Sequence, residues 1–327
     1  MARFGATIFG CEGLRLSEEE KAFFRDACPF GFILFARNIE TADQVRALCE
    51  ELRACVDHHA PILIDQEGGR VQRFRAPLAT EFVPPLDQVA SAGKNAERAM
   101  YLRYRIIAHE LLAVGVDANC APMVDVANAA THPFLKNRCY GEDPAQIARI
   151  GRAVANGLLD GGVLPVVKHM PGHGRTLVDS HFDLPTVTAT EAELEVDFLP
   201  FEALNDLPMG MTGHLVFTAF DDQPATTSAK MMGLIREKIG FGGLIMTDDI
   251  NMKALQGSLS DLSRASIAAG CDVVLHCNGE LAEMLEVARA AGEMTDAGQT
   301  RAEAALAMRK TPETVDIKAL ADELKTF

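Results

Sequence analysis

Apolar and polar positions alternate along this chain on the scale of whole elements rather than single residues. Eight short, almost continuously apolar runs recur, at residues 6–10, 32–36, 62–65, 116–121, 164–168, 209–213, 244–247 and 273–276. A strand that is apolar at nearly every position is buried on both faces, the mark of a parallel sheet covered by helices. Between the runs lie polar, Ala-rich segments with helical spacing, at 17–27, 42–58, 95–114, 144–159, 190–204, 228–239, 259–269 and 281–290. In the second of these, Val45, Leu48, Leu52 and Val56 share one face, and Thr41 stands where an N-cap is needed. Eight strand–helix units predict a (β/α)8 barrel of TIM type; an open doubly wound sheet, the alternative, would normally carry fewer strands. No Pro-, Gly- or Ser-rich linker divides the chain. The expected organisation is a single domain, with the barrel over residues 1–300 and a helical extension over 301–327 packed on it.

Charge narrows the function. Lys and Arg number 31 against 46 Asp and Glu, a formal charge of −15. Such a surface repels phosphate backbones and anionic lipid, which argues against a nucleic-acid or membrane partner and for a small-molecule substrate. The eight cysteines form no Cys-x-x-Cys pair, and the first ten residues are too short an apolar run for a secretory leader. No apolar stretch approaches the roughly 20 residues of a membrane span. Reduced thiols, a cytoplasmic location and a monomeric state are expected.

In a barrel of this kind, chemistry gathers where the strands end. The third run ends in Asp65-Gln-Glu-Gly-Gly-Arg-Val-Gln-Arg73, and the fourth leads through Asp125 to a loop carrying Asn137-Arg138. The fifth enters Lys168-His-Met-Pro-Gly-His-Gly174 and then Asp179-Ser-His181; the sixth ends near His214, the seventh in Thr247-Asp-Asp-Ile-Asn-Met252. Each has a plainer reading. Asp65 and the Asp248–Asp249 pair could cap helices, and Arg138 could be a surface ion-pair partner. Gly68-Gly69 is no phosphate loop, because no Gly-Lys-Ser/Thr follows. His169, His173 and His181 invite a metal reading, but their spacing matches neither a helical His-x-x-x-His nor a zinc-finger pair, so no metal or cofactor is expected.

Together these motifs resemble glycoside hydrolase family 3, in order and spacing, over about residues 5–280. The Gly-His-Gly and Asp-Ser-His loop resembles the single-domain bacterial β-N-acetylglucosaminidases that recycle cell-wall peptidoglycan in the cytosol. Met170 departs from a usual Phe, and Cys139-Tyr140 from a usual Ser-Phe. The resemblance implies an exo-acting, retaining enzyme with Asp248 as nucleophile, His181 as acid/base and Asp179 orienting it. Asp65, Arg73, Arg138, Lys168 and His169 would bind the sugar hydroxyls, with His214 beside the pocket. The implied substrate is N-acetylglucosamine on anhydro-muramic acid.

The chemistry is consistent with those assignments. Imidazole titrates near neutrality, so His181 can both give and take a proton, and Asp179 would favour its charged form. Asp248 follows an apolar strand that can aim it into the barrel mouth, whereas Asp249 is expected to face away, into the wall or the following helix. Should His181 prove structural, Glu67 and His173 are the next candidates for the acid. Rival functions are a phosphorylase on the same scaffold, a β-glucosidase, a non-catalytic sugar sensor, and an aldolase using Lys168 as a Schiff base.

Overall fold

The computed structural model of the chain describes residues 3–176 and 184–327. Eight parallel strands close into a barrel in sequence order: β1 Gly5–Gly10, β2 Pro29–Leu34, β3 Ile62–Ile64, β4 Ala118–Asn119, β5 Leu164–Met170, β6 Met209–Thr212, β7 Leu244–Asp249 and β8 Val273–His276. β8 pairs back onto β1, with Thr7 opposite Val274, which completes the ring. The helices α1 Glu18–Ala27, α2 Ala42–Ala54, α3 Ala96–Leu112, α4 Pro144–Asp160, α5 Glu191–Glu202, α6 Ala229–Gly233, α7 Leu259–Ala269 and α8 Leu281–Ala291 follow the strands. The expected barrel is the observed one.

Local chemistry explains the boundaries. Ser17 and Glu20 form a reciprocal capping box that starts α1, and Cys28 ends it in the left-handed region at φ 42°. Thr41 accepts from the Gln44 amide and opens α2, as its position predicts. The core is a ladder of aromatic and aliphatic side chains between strands and helices: Phe9 meets Phe23 at 5.3 Å and Phe24 meets Phe32 at 5.1 Å between ring centroids. Past Gly233 the sixth helix continues as a π-helical turn, Leu234–Lys238.

β4 is the exception. The apolar run at 116–121 yields a strand of two residues, although backbone bonds to both neighbours continue through Asp117, Cys120 and Ala121, and polar side chains add to them. The Asp117 carboxylate accepts the Ile62 amide, and Asn119 exchanges two hydrogen bonds with the Gln66 backbone. Two helices, Asp296–Ala307 and Ile317–Leu324, complete the chain against the barrel, held by Arg301 on Asp272 and by Arg98 on Glu323.

Candidate functional site

The C-terminal ends of the strands surround a cavity of about 230 Å³. Asp65, Lys168, His169, Asp248 and Asp249 reach it from strand ends, Arg70 and Arg73 from the segment after β3, and Phe134 and Arg138 from the loop after β4. All five of the binding residues expected from sequence, and the expected nucleophile, are therefore brought together. Asp179 and His181 lie outside the described residues.

After β3 the chain turns into a small hairpin, Gln66–Gly68 paired antiparallel with Val71–Gln72. Its polar side chains do the work of a core. Gln66 accepts from the Arg73 and Phe74 amides and donates to the Phe74 carbonyl, while Gln72 donates to the carbonyls of Phe74 and Thr80. Gly68 has φ 104°, and a Cβ there would stand 1.9 Å from the Arg103 guanidinium, so glycine is required. Arg103, fully buried, donates from α3 to the carbonyls of Glu67 and Val83 and anchors the hairpin.

The hairpin presents two carboxylates to three cations. Lys168 Nζ donates to Asp65 Oδ1 at 2.8 Å and lies 2.7 Å from Glu67 Oε1. Arg73 donates to Asp65 at 3.0 Å. Arg138 grips Glu67 with two parallel bonds, 2.9 Å from Nε and 2.7 Å from Nη2. A buried ammonium or carboxylate is costly unless paired in this way. Burial alone would raise the Asp65 and Glu67 carboxyls, but Lys168 and Arg73 hold Asp65 well below the usual range, and Arg138 with Lys168 holds Glu67 at about 2. Burial would lower the Lys168 ammonium, yet Asp65 and Glu67 raise it. Lys168 is thus charged at neutral pH, unlike an amine poised for a Schiff base.

A second buried carboxylate, Asp125, accepts from His169 Nδ1 at 2.7 Å and from the His173 amide at 2.6 Å. That contact fixes the His169 ring and leaves its other nitrogen for the cavity it lines. His173 is held at about 4 by burial and by the neighbouring His169, and its Nδ1 meets Thr176 Oγ1 at 3.0 Å. His214 bonds Thr226 through Nδ1 and the Asp249 carbonyl through Nε2, so it supports the end of β7 from behind the cavity wall.

Asp248 sits half-buried at the end of β7. Burial would raise its carboxyl, but His169, His214, the Asp249 amide and Lys168 bring it below the usual value. A carboxylate so placed is ionised at neutral pH. Asp249 also borders the cavity, but its Oδ1 accepts from the Asn251 and Cys277 amides, which ties the carboxylate to the following turn and to the wall, as expected. The pairing of β7 with β8 shifts register between Met246 and Asp249, the stretch that carries both carboxylates.

Neither substitute acid survives the geometry. Glu67 is ionised and locked between two cations, and His173 is neutral and bonded away from the cavity. The value of Glu67 and of Asp125 as supports was not visible in the sequence, where Glu67 read as a reserve acid and Asp125 as a step on the way to the Arg138 loop.

A cavity at a barrel mouth, one aimed anionic carboxylate and a ring of paired cations fit many sugar-cleaving folds. The comparison of sequences decides among them. The model of the glycosyl hydrolase family 3 N-terminal domain matches residues 8–309. The chain belongs to glycosyl hydrolase family 3. Among family 3 relatives, the beta-hexosaminidase of Alkalilimnicola ehrlichii is 36% identical over 283 residues, which cover 84% of this chain and 81% of that one. The beta-hexosaminidase of Chromobacterium violaceum is 36% identical over 285 residues, 84% of this chain and 79% of that one. Native NagZ from Neisseria gonorrhoeae superimposes with a TM-score of 0.86 at 30% identity, covering 99% of this chain and 94% of that one. The gonococcal protein is also known in complex with a zinc ion. In the present chain, no three His, Cys, Asp or Glu side chains among the described residues are grouped to hold a metal.

Proposed function

We propose that this family 3 hydrolase is an exo-acting β-N-acetylglucosaminidase that works with retention of configuration, through a covalent sugar on Asp248. The observation that carries the reading is the placement of Asp248, ionised and at a rigid strand end, in the same cavity as Asp65, Arg73, Arg138, Lys168 and His169. Carboxylates accept sugar hydroxyl protons while Arg and Lys donate to the oxygens, so a pyranose is held without a metal. A retaining glycosidase then needs a proton donor at the leaving oxygen. His181, oriented by Asp179, is assigned that role, and it later removes a proton from the attacking water. The proposed substrate is N-acetylglucosamine at the non-reducing end of an anhydro-muramic acid fragment, met in the cytoplasm by a monomer.

The assignment is tested by trapping. A slow 5-fluoro N-acetylglucosaminide, which keeps the acetamido group at C2, should leave its sugar on the peptide containing Asp248, as read by mass spectrometry, and Asp248→Asn should abolish both label and turnover. A label on another peptide would overturn the mechanism.

A further inference from the structure

We propose that Glu67, which lies behind the cavity wall, is the positioning residue that sets Arg138 and Lys168 for the sugar. The inference rests on the reading of the cavity as the N-acetylglucosamine site.

Three observations carry it. First, Glu67 is only 1% exposed, and it is not among the residues that line the cavity, whereas both of its partners are. It is therefore built to touch the groups that meet the ligand rather than the ligand itself. Second, three of the four acceptor sites of its carboxylate are occupied by those two cations, two from Arg138 and one from Lys168. A bidentate grip fixes the plane of a guanidinium as well as its place, and so fixes where its remaining N–H groups point. Third, the Glu67 backbone is itself held, by the Arg103 guanidinium on its carbonyl and by the forced turn at Gly68. The position of one carboxylate thereby becomes the position of two sugar-facing donors drawn from β5 and from the loop after β4.

Charge gives a second reason. Arg73, Asp65, Lys168, Glu67 and Arg138 form one network in which neighbours alternate in sign. Without Glu67, Lys168 and Arg138 would present their full charge to a reacting sugar that itself becomes cationic in the transition state. Lys168 would also be drawn toward Asp248, one of the groups it already influences.

The test uses the full chain, 4-nitrophenyl N-acetylglucosaminide as substrate and N-acetylglucosamine as competitive inhibitor. Glu67→Gln should lower kcat/KM by about 10²-fold, the scale of an ångström-level misplacement, and weaken inhibition by the sugar. In a Lys168→Met background the same change should cost distinctly less, because one of its two partners is already gone. Glu67→Asp keeps the charge but withdraws it by one methylene, and should fall between wild type and Gln. A folded Gln or Asp variant with wild-type kcat/KM overturns the proposal, as do losses that simply multiply in the double variant. Failure of both variants to fold also overturns it, in favour of a purely structural Glu67. A wild-type chain that cleaves no N-acetylglucosaminide would instead overturn the reading of the site.

Discussion

The residue that the site leans on most is Asp248, and its electrostatics make a prediction of definite sign. Its carboxyl is held below the usual value, so the ionised form persists as pH falls past the ordinary aspartate range around 3.8. The acid limb of kcat/KM, read in brief pH-jump assays, should therefore lie below that value in the wild type. Lys168→Met removes a cation that lowers it, so the limb should move to higher pH; an unmoved limb would detach Lys168 from the nucleophile. A leaving-group comparison tests His181. A nitrophenolate departs unaided, but a sugar alkoxide does not, so removing the acid should cost roughly 10²–10⁴-fold on a disaccharide. With the nitrophenyl sugar, His181→Gly should give a burst of nitrophenol and then a slow steady state, because deglycosylation still lacks its base. Asp179→Ala should show a milder form. Equal slowing of both substrates without a burst would make His181 structural.

At the scale of elements, what the sequence revealed depended on which force holds each element. Strands held by apolar burial on both faces were legible, and so were helices opened by Ser17 or Thr41. The Gln66–Gly68 hairpin was not, because Gln66 and Gln72 stabilise it with side-chain bonds to the backbone that no hydrophobic pattern announces. Beside β4, Asp117 and Asn119 likewise add side-chain bonds to the backbone that the apolar pattern does not announce. The site was legible where a charged residue directly ended an apolar run, as at Asp65, Lys168 and Asp248. Alternation also separated Asp249 from Asp248, since the Asp249 carboxylate is bonded to backbone amides of the wall and the following turn. The hairpin supplies its own prediction. Gly68→Ala forces a side chain into the left-handed region and against Arg103, and should destabilise the fold by roughly 2–4 kcal/mol. Calorimetric melting would show it, and activity should fall further than stability alone explains, since the turn carries Glu67. An unchanged melting temperature would mean that Arg103 simply moves aside.

The strands close into a ring, so that the ends of several of them and the segments that follow meet at one rim, which is how residues 65 and 248 come to share a cavity. Among the described residues, no helix is long and apolar enough to cross a membrane. The proposed site holds its sugar with side-chain ions alone, so prolonged EDTA treatment should leave turnover unchanged. Loss of activity that one metal ion restores would show that a ligand set has been overlooked.

The alternation of sign in the network from Arg73 to Arg138 reaches beyond catalysis to how the pocket feels bulk solution. The network's three cations face two carboxylates, and the Asp248 carboxylate in the same cavity balances the third. Opposite charges a few ångströms apart thus cancel one another's field before it extends far, although the protein as a whole carries −15. An uncharged sugar therefore meets short, directed hydrogen bonds and little long-range potential. Added salt has nothing to screen at that range, because a Debye length is about 10 Å at 0.1 M. The affinity for N-acetylglucosamine should accordingly stay flat from about 10 mM to about 0.5 M salt, and recognition becomes a matter of shape and hydroxyl stereochemistry alone. An inhibition constant that climbed with ionic strength would reveal an unbalanced charge at the mouth.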